Sequence, residues 1–382
     1  MAVKIVRQPN KIALLGAPTS AAAMSEGHEA APSALRSAGL VDRLRSIGYE
    51  VADLGDDPAQ LYKPDEESPR ARNLPRVLAS LEALKPRVEQ AVKSSSLPLI
   101  LTGDCSVALA TVAGVRRYFR NVSMIYMDRD ADLNTPATTP SGCVDGMVVS
   151  HLTGRGAAEL VRFWGEPPLV REPDLALFGV ARLDPAEKES LERSPLRRYF
   201  ADDVHRMGAA TAAQAAIERI HANGFEFILH FDVDVIADFP ATNYPGSGGL
   251  TLEEVREALR VFGTQKHLAA IEIAAYNPAK DSDGSGAKMI LDLFAEVLAA
   301  RLEILKADAA AAAPAPAPAS APVSPQTSAS EPKEANAEVT PPPVAPGEAW
   351  TSDSLEEENA AKSPEAASEP SETSGEPEES HS

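Results

Sequence analysis

Three aspartates alternate with other residues in Asp128-Arg129-Asp130-Ala131-Asp132, directly after the apolar run Ser123 to Met127. In extended backbone alternate side chains lean to one side, so Asp128, Asp130 and Asp132 share a face. A second pair, Asp232 and Asp234, follows the apolar run Phe227 to Phe231, and Cys105 lies just after a third, Pro98 to Leu101. Brought together, these segments put five carboxylates and a thiol in one pocket. Two unit charges about 4 Å apart at an effective dielectric of about 20 repel by roughly 4 kcal/mol, so such a cluster needs cations or protons. Carboxylate-rich sites suit hard divalent ions such as Mn²⁺ or Mg²⁺, and two neighbouring ions each lower the pKa of a shared water. Any single one of these aspartates also fits the simpler role of a cap or turn residue at a strand end.

The elements that must position these residues are legible as alternating patterns. Ile12 to Leu15, Pro98 to Leu101, Ser123 to Met127, Leu175 to Phe178, Phe227 to Phe231 and Leu268 to Ile273 are short and apolar, as buried parallel strands are. Between and around them Ala34 to Ile47, Leu78 to Ser94, Ala209 to Ala222, Leu252 to Phe262 and Lys288 to Lys306 carry helical spacing of apolar residues. The alternation predicts one α/β domain with a mainly parallel sheet. In such sheets ligands bind beyond the carboxyl ends of the strands, which is where the polar motifs fall.

Composition divides the chain. From Asp308 to the C-terminus 15 Asp and Glu stand against 2 Lys, a net of −13 out of the whole chain's −20. Residues 307–382 are rich in Ala, Pro, Ser and Glu and poor in large apolar side chains, which predicts a disordered acidic tail after a folded domain spanning 1–306. The acidity argues against nucleic acid as a partner. The N-terminus lacks the basic and apolar regions of a signal peptide, and no apolar run approaches the ~18 residues of a membrane span. With only two cysteines, Cys105 and Cys143, a cytoplasmic protein without disulfides or membrane contact is expected.

Thr102-Gly103-Asp104-Cys105-Ser106, Asp128-Arg129-Asp130-Ala131-Asp132-Leu133-Asn134 and His230-Phe231-Asp232-Val233-Asp234 resemble, in that order, three signatures of the arginase (ureohydrolase) family: Gly-Gly-Asp-His-Ser, Asp-Ala-His-x-Asp-x-Asn and Ser-x-Asp-x-Asp. Gly16-Ala17-Pro18-Thr19-Ser20, Gly248-Gly249-Leu250-Thr251 and Tyr276-Asn277-Pro278 extend the resemblance over about Lys11 to Lys306. It implies a three-layer αβα fold, a homotrimer or homohexamer, and a two-manganese site that hydrolyses a linear C–N bond of an amidino compound. By position it assigns metal ligation to Asp128, Asp132, Asp232 and Asp234. The loop Leu133 to Gly142 resembles the arginase version, in which Asn134 and Ser141 hold an α-carboxylate and Asp184 receives an α-ammonium group. An arginine-like amino acid is therefore the implied substrate.

Four positions depart from the family pattern. Cys105 and Asp130 stand where histidine ligands are usual, and both types still bind metal, as thiolate and carboxylate. Asp145 replaces a proton-shuttling histidine, a task a carboxylate performs only with a raised pKa. Ala275 replaces the glutamate that anchors a guanidinium, which removes a charge-assisted contact to arginine. Asp130 and Asp145 are thus expected nearest the chemistry, with Cys105 and Asp130 completing the metal shell. A catalytically attenuated or inactive protein that keeps the fold as a binding or assembly module is the alternative. No histidine is expected among the ligands, and His230 is read as packing beside them. Arg129, by strand alternation, is expected to point away from the aspartates, or else to fold over and neutralise them.

Overall fold

A computed structural model of the chain describes residues 5, 7–220 and 226–312. Eight strands, β1 (Lys11–Ala17), β2 (Glu50–Asp56), β3 (Leu97–Thr102), β4 (Val122–Met127), β5 (Leu175–Val180), β6 (Arg197–Phe200), β7 (Glu226–Asp232) and β8 (Leu268–Ala274), form one sheet. Their order is β2-β1-β3-β8-β7-β4-β5-β6, and every pairing is parallel. The six expected strands make up its interior. The two that the apolar pattern did not reveal, β2 and β6, are the edges, where one side of each strand meets no neighbour and charged residues such as Asp53, Asp56, Arg197 and Arg198 are tolerated.

Helices cover both faces, as a doubly wound parallel sheet requires. On one face Ala31–Ser37, Leu40–Ser46, Ala209–Ile220, Leu252–Gly263 and Ser285–Ala312 bury Leu35, Leu44, Ile217, Phe262 and Phe294 against Leu14, Ile125, Phe178 and Phe231. On the other, Leu74–Lys93, Ala108–Arg116 and Val148–Leu152 bury Leu81, Val88, Val112 and Val149 against Leu15, Ile100, Met124 and Leu177. The single helix expected over Ala34 to Ile47 is two, broken at Gly39, whose φ of 96° no other residue type adopts cheaply.

The last helix runs on to Ala312, so the folded part passes the expected boundary at 306. Ala309 to Ala312 continue it because alanine has the highest intrinsic helix propensity. The expected tail beyond this point lies outside the described residues.

Register sets the site. Across β4, β7 and β8, Tyr126 is opposite His230 and His230 opposite Glu272, so these three polar side chains form a row on one face of the sheet. The opposite face at the next position carries Met127, Phe231 and Ile273. Two residues beyond the row, Asp128 follows the end of β4 and Asp232 closes β7, while the turn after β3 delivers Cys105.

Candidate functional site

Chain reversal after β3 depends on Asp104, a fully buried carboxylate. It accepts hydrogen bonds from Thr19 Oγ1 (2.9 Å), Ala22 N (3.0 Å), Ser106 N (3.2 Å) and Ser106 Oγ (2.5 Å). Gly103 is needed beside it because a Cβ there would collide with the backbone of Thr19 and His28. This tie fixes Cys105, whose backbone N–H donates to Asp145 Oδ1 (2.7 Å) and whose Sγ donates to Asp232 Oδ2 (3.0 Å). The ends of β4 and β7 curl in the same manner: Asp128 Oδ1 accepts from Asp130 N (2.7 Å) and Asp232 Oδ1 from Asp234 N (2.7 Å). The cap role weighed for single aspartates is thus real for two of them, and the second oxygen of Asp232 is the one that Cys105 meets.

Cys105, Asp128, Asp130, Asp132, Asn134, Ser141, Asp145, Asp184, Asp232 and Asp234 all line one cleft. Within it the carboxylate oxygens of Asp128, Asp232 and Asp234 approach within 4.8 Å of one another, the spacing a shared cation requires. Asn134 Nδ2 donates to Asp184 Oδ2 (2.8 Å), so two of the residues assigned to an amino-acid head group are already joined. Ser141 Oγ accepts from Cys143 N (3.1 Å), a turn contact that leaves its hydroxyl in the cleft wall.

Three side chains lie otherwise than first expected. Asp130 joins neither group of side chains able to share an ion among the described residues. It is half-buried and paired with Arg182, both of whose nearer nitrogens meet its oxygens, Nη2 to Oδ2 at 2.6 Å. The cause is backbone placement: Asp130 bridges in parallel to Arg182, which puts a cation beside it. Arg129 does not point away. Its guanidinium lies on Asp234 Oδ2 (3.3 Å) and donates to Tyr244 O (2.7 Å), in a space that Gly246 leaves open and a Cβ at that position would fill. Once β4 has ended, strand alternation no longer governs the residue, and burial among carboxylates favours the neutralising alternative. His230, finally, belongs with Cys105 and Asp128, with one donor atom from each within 4.8 Å of the others.

The electrostatics follow from burial of like charges. Burial first, and then the neighbouring Asp232 and Asp132, push Asp128 well above the usual carboxylate range, and Asp232 is raised by burial and by Asp234. Asp132, raised by burial and Asp145, accepts a hydrogen bond from Tyr126 OH (2.5 Å). Asp234 rises only to about 6, because Arg129 opposes burial and Asp130. Asp145 is pushed up to about 7, chiefly by burial and Asp104. Burial and Asp232 raise the Cys105 thiol, and neither cysteine is in a disulfide.

Several contributors escaped the sequence reading. Glu187 accepts from Leu133 N and Asp184 N (both 2.8 Å), tying the cleft's two head-group segments together. Its spacing in Asp184-Pro185-Ala186-Glu187 is the signature of a helix capping box and was available as a signal. Glu272 and Tyr126 gave none, since each sits inside a run that reads as apolar strand.

Known proteins are similar to the chain over most of its described residues. The description "Arginase family" matches residues 10–300. Arginases of Bacillus subtilis and Bacillus caldovelox are each 30% identical, over 294 and 296 residues, which cover 76% of this chain and 98% and 99% of theirs. The arginase structure from Bacillus cereus superposes with a TM-score of 0.70 at 28% identity, over 75% of this chain and 98% of that one.

Proposed function

The chain belongs to the arginase family, and from that membership we propose that it is a metal-dependent hydrolase of a linear C–N bond in the amidino or guanidino group of an arginine-like amino acid. The observation that carries this reading is the approach of Asp128, Asp232 and Asp234 within 4.8 Å in the cleft that also holds Asn134, Ser141 and Asp184. Their oxygens fit one hard divalent ion, manganese by family resemblance. A second ion of the family type fits less well, because Asp130 is held by Arg182. When bound, the ion supplies a water acidic enough to attack at neutral pH.

The chain's own residues do the rest. Asp184 and Asn134 offer a carboxylate and an amide to the ammonium and carboxylate of the substrate, with the Ser141 hydroxyl beside them. Asp145, near 7, is poised to take up and return a proton. Ala275 is buried outside the cleft wall and gives the distal guanidinium no anion, so arginine itself is held weakly. We place the protein in the cytoplasm, consistent with two free thiols, as a homotrimer or homohexamer.

Arg129 favours a second reading. Its guanidinium supplies from within the chain a positive charge beside Asp234, which suits a member with attenuated or no turnover that serves as a binding or assembly module. Urea release from guanidino amino acids and formamide release from formimino amino acids, after metal analysis of the manganese-loaded protein, separate the two. Turnover that Asp184→Asn weakens through at least a tenfold rise in KM supports the hydrolase. Full metal loading with no turnover of any compound supports the second reading.

A further inference from the structure

At the end of the sheet away from the cleft, the helix Ser285–Ala312 carries Arg301 into the protein. Its side chain is buried, and Nη1 donates to Gly263 O (2.9 Å) and Gln265 O (2.6 Å). Those two carbonyls fix the plane of the guanidinium. The other edge, Nε and Nη2, makes no hydrogen bond or ion pair among the described residues. Arginine is seldom buried without an anion, because the guanidinium gives up hydration that only a partner restores. Burial pulls the Arg301 pKa down to about 10, so the group remains a cation at neutral pH.

Arg301 lines a cavity together with Arg7, Lys266, Glu226, Phe119 and Leu305. Glu226 is the one carboxylate in that wall among the described residues, and both its oxygens are engaged. Arg7 Nη2 donates to Oε2, and His267 Nδ1 lies 3.4 Å from Oε1. The Arg7 guanidinium sits over the Phe119 ring, 5.6 Å from its centroid, and its buried Nη1 is a second donor without a partner among the described residues. With Arg7 set against Glu226, the charges of Arg301 and Lys266 stay uncompensated in the cavity. Arg7 precedes β1, Glu226 opens β7 and Lys266 precedes β8. The seven residues of β7 therefore put the cavity about 20 Å from Asp232 and the cleft.

We propose that this cavity is a binding site for a small organic monocarboxylate with a short apolar chain, its carboxylate on the Nε–Nη2 edge of Arg301 beside Lys266 and its chain against Phe119 and Leu305. A planar carboxylate takes two parallel hydrogen bonds from such a guanidinium edge. The apolar walls select against inorganic phosphate, whose remaining oxygens would turn on Phe119 and Leu305 and lose their hydration without gaining donors. The site uses none of the residues assigned to metal or amidino chemistry, and it does not rest on the hydrolase reading.

The test titrates the full chain calorimetrically with isovalerate, with isovaleramide, which has the same shape without the charge, and with inorganic phosphate. Isovalerate is expected to bind at one site, at least about tenfold more tightly than either control. Loading with Mn²⁺ should leave its affinity within about twofold, since ~20 Å exceeds the screening length at physiological salt. Arg301→Gln, whose amide still offers a donor to the two carbonyls, should weaken isovalerate at least about tenfold, with melting curves checking that it folds. Lys266→Gln, at an exposed residue, should weaken it about threefold, and it decides alone if the arginine variant does not fold. No binding of isovalerate, equal binding of the amide or tighter binding of phosphate overturns the proposal on the native protein. So does binding that appears only with Mn²⁺, which is carboxylate on the metal, or an affinity unchanged by the substitutions. Guanidino turnover without isovalerate binding leaves the hydrolase reading standing and this one fallen, and isovalerate binding without turnover does the reverse.

Discussion

At the scale of single residues the decisive feature is charge compensation by Arg129. Three buried carboxylates meet within 4.8 Å, and the guanidinium 3.3 Å from Asp234 is the countercharge the fold supplies. Removing one partner of a buried pair typically destabilises by about 3–5 kcal/mol, although protonation of Asp234 relieves part of this. Arg129→Ala is therefore expected to lower the melting temperature of the metal-free protein while raising manganese affinity at least about tenfold, since a cation at roughly 4 Å no longer repels the ion. Calorimetric titration and paired melting curves with and without Mn²⁺ check it. A variant destabilised equally in both conditions would show that the arginine serves packing alone. The aspartate spacing made the cluster legible in the sequence, but the direction of Arg129 was not, because it depends on Gly246 and the Tyr244 carbonyl, more than a hundred residues away.

At the scale of elements, the interior strands announced themselves by continuous apolar runs, and the edges did not, since β2 and β6 have polar faces of no fixed period. What lay hidden inside the interior strands matters more. Glu272 sits in Leu268–Ala274 and His230 in Glu226–Asp232, and only the pairing register shows that they meet. No local pattern encodes which strands are neighbours, so the meeting of His230 and Glu272 was out of reach of the sequence. Local chemistry is readable where it acts locally. Thr251 caps the helix Leu252–Gly263: Thr251 Oγ1 accepts from Glu254 N (3.3 Å) and Thr251 N donates to Glu254 Oε2 (2.9 Å). Thr251→Ala is expected to cost about 1 kcal/mol in urea denaturation, with metal content unchanged. Loss of metal in that variant would mean that the Gly248 to Leu250 turn, which pairs with Ile236 just beyond Asp234, transmits the change to the site.

For the molecule as a whole, stability against pH is set by two opposed sets of buried groups. His28 is depressed to about 3 by burial and Lys280, and His151 to about 4 by burial; their Nε2 atoms accept from Asn243 N and Ala157 N, both at 3.1 Å. A histidine lowered on folding contributes stability that is complete above its unfolded value of about 6.5 and is lost as pH falls toward the folded value. The site carboxylates act in the other direction. Burial among like charges raises Asp128, Asp132 and Asp232 well above the ordinary aspartate value, and Asp145 is pushed up to about 7. The folded state then holds protons that the unfolded state has released, so stability declines as pH rises through the folded values. Above pH 6.5 the histidines no longer change, and the carboxylates set the slope, with the raised thiols of Cys105 and Cys143 adding in the same direction toward pH 8. The metal-free protein is therefore expected to lose melting temperature between pH 6.5 and 8. A bound divalent ion replaces those protons, so affinity strengthens as they leave, and the rise in melting temperature on adding Mn²⁺ should be larger at pH 8 than at pH 6.5. The acid limb, governed by His28 and His151 away from the cluster, should be far less sensitive to the metal. Melting curves at the two pH values, with chelator and with excess Mn²⁺, decide the matter, and a metal-free slope of zero would mean that the cluster is already neutralised from within by Arg129.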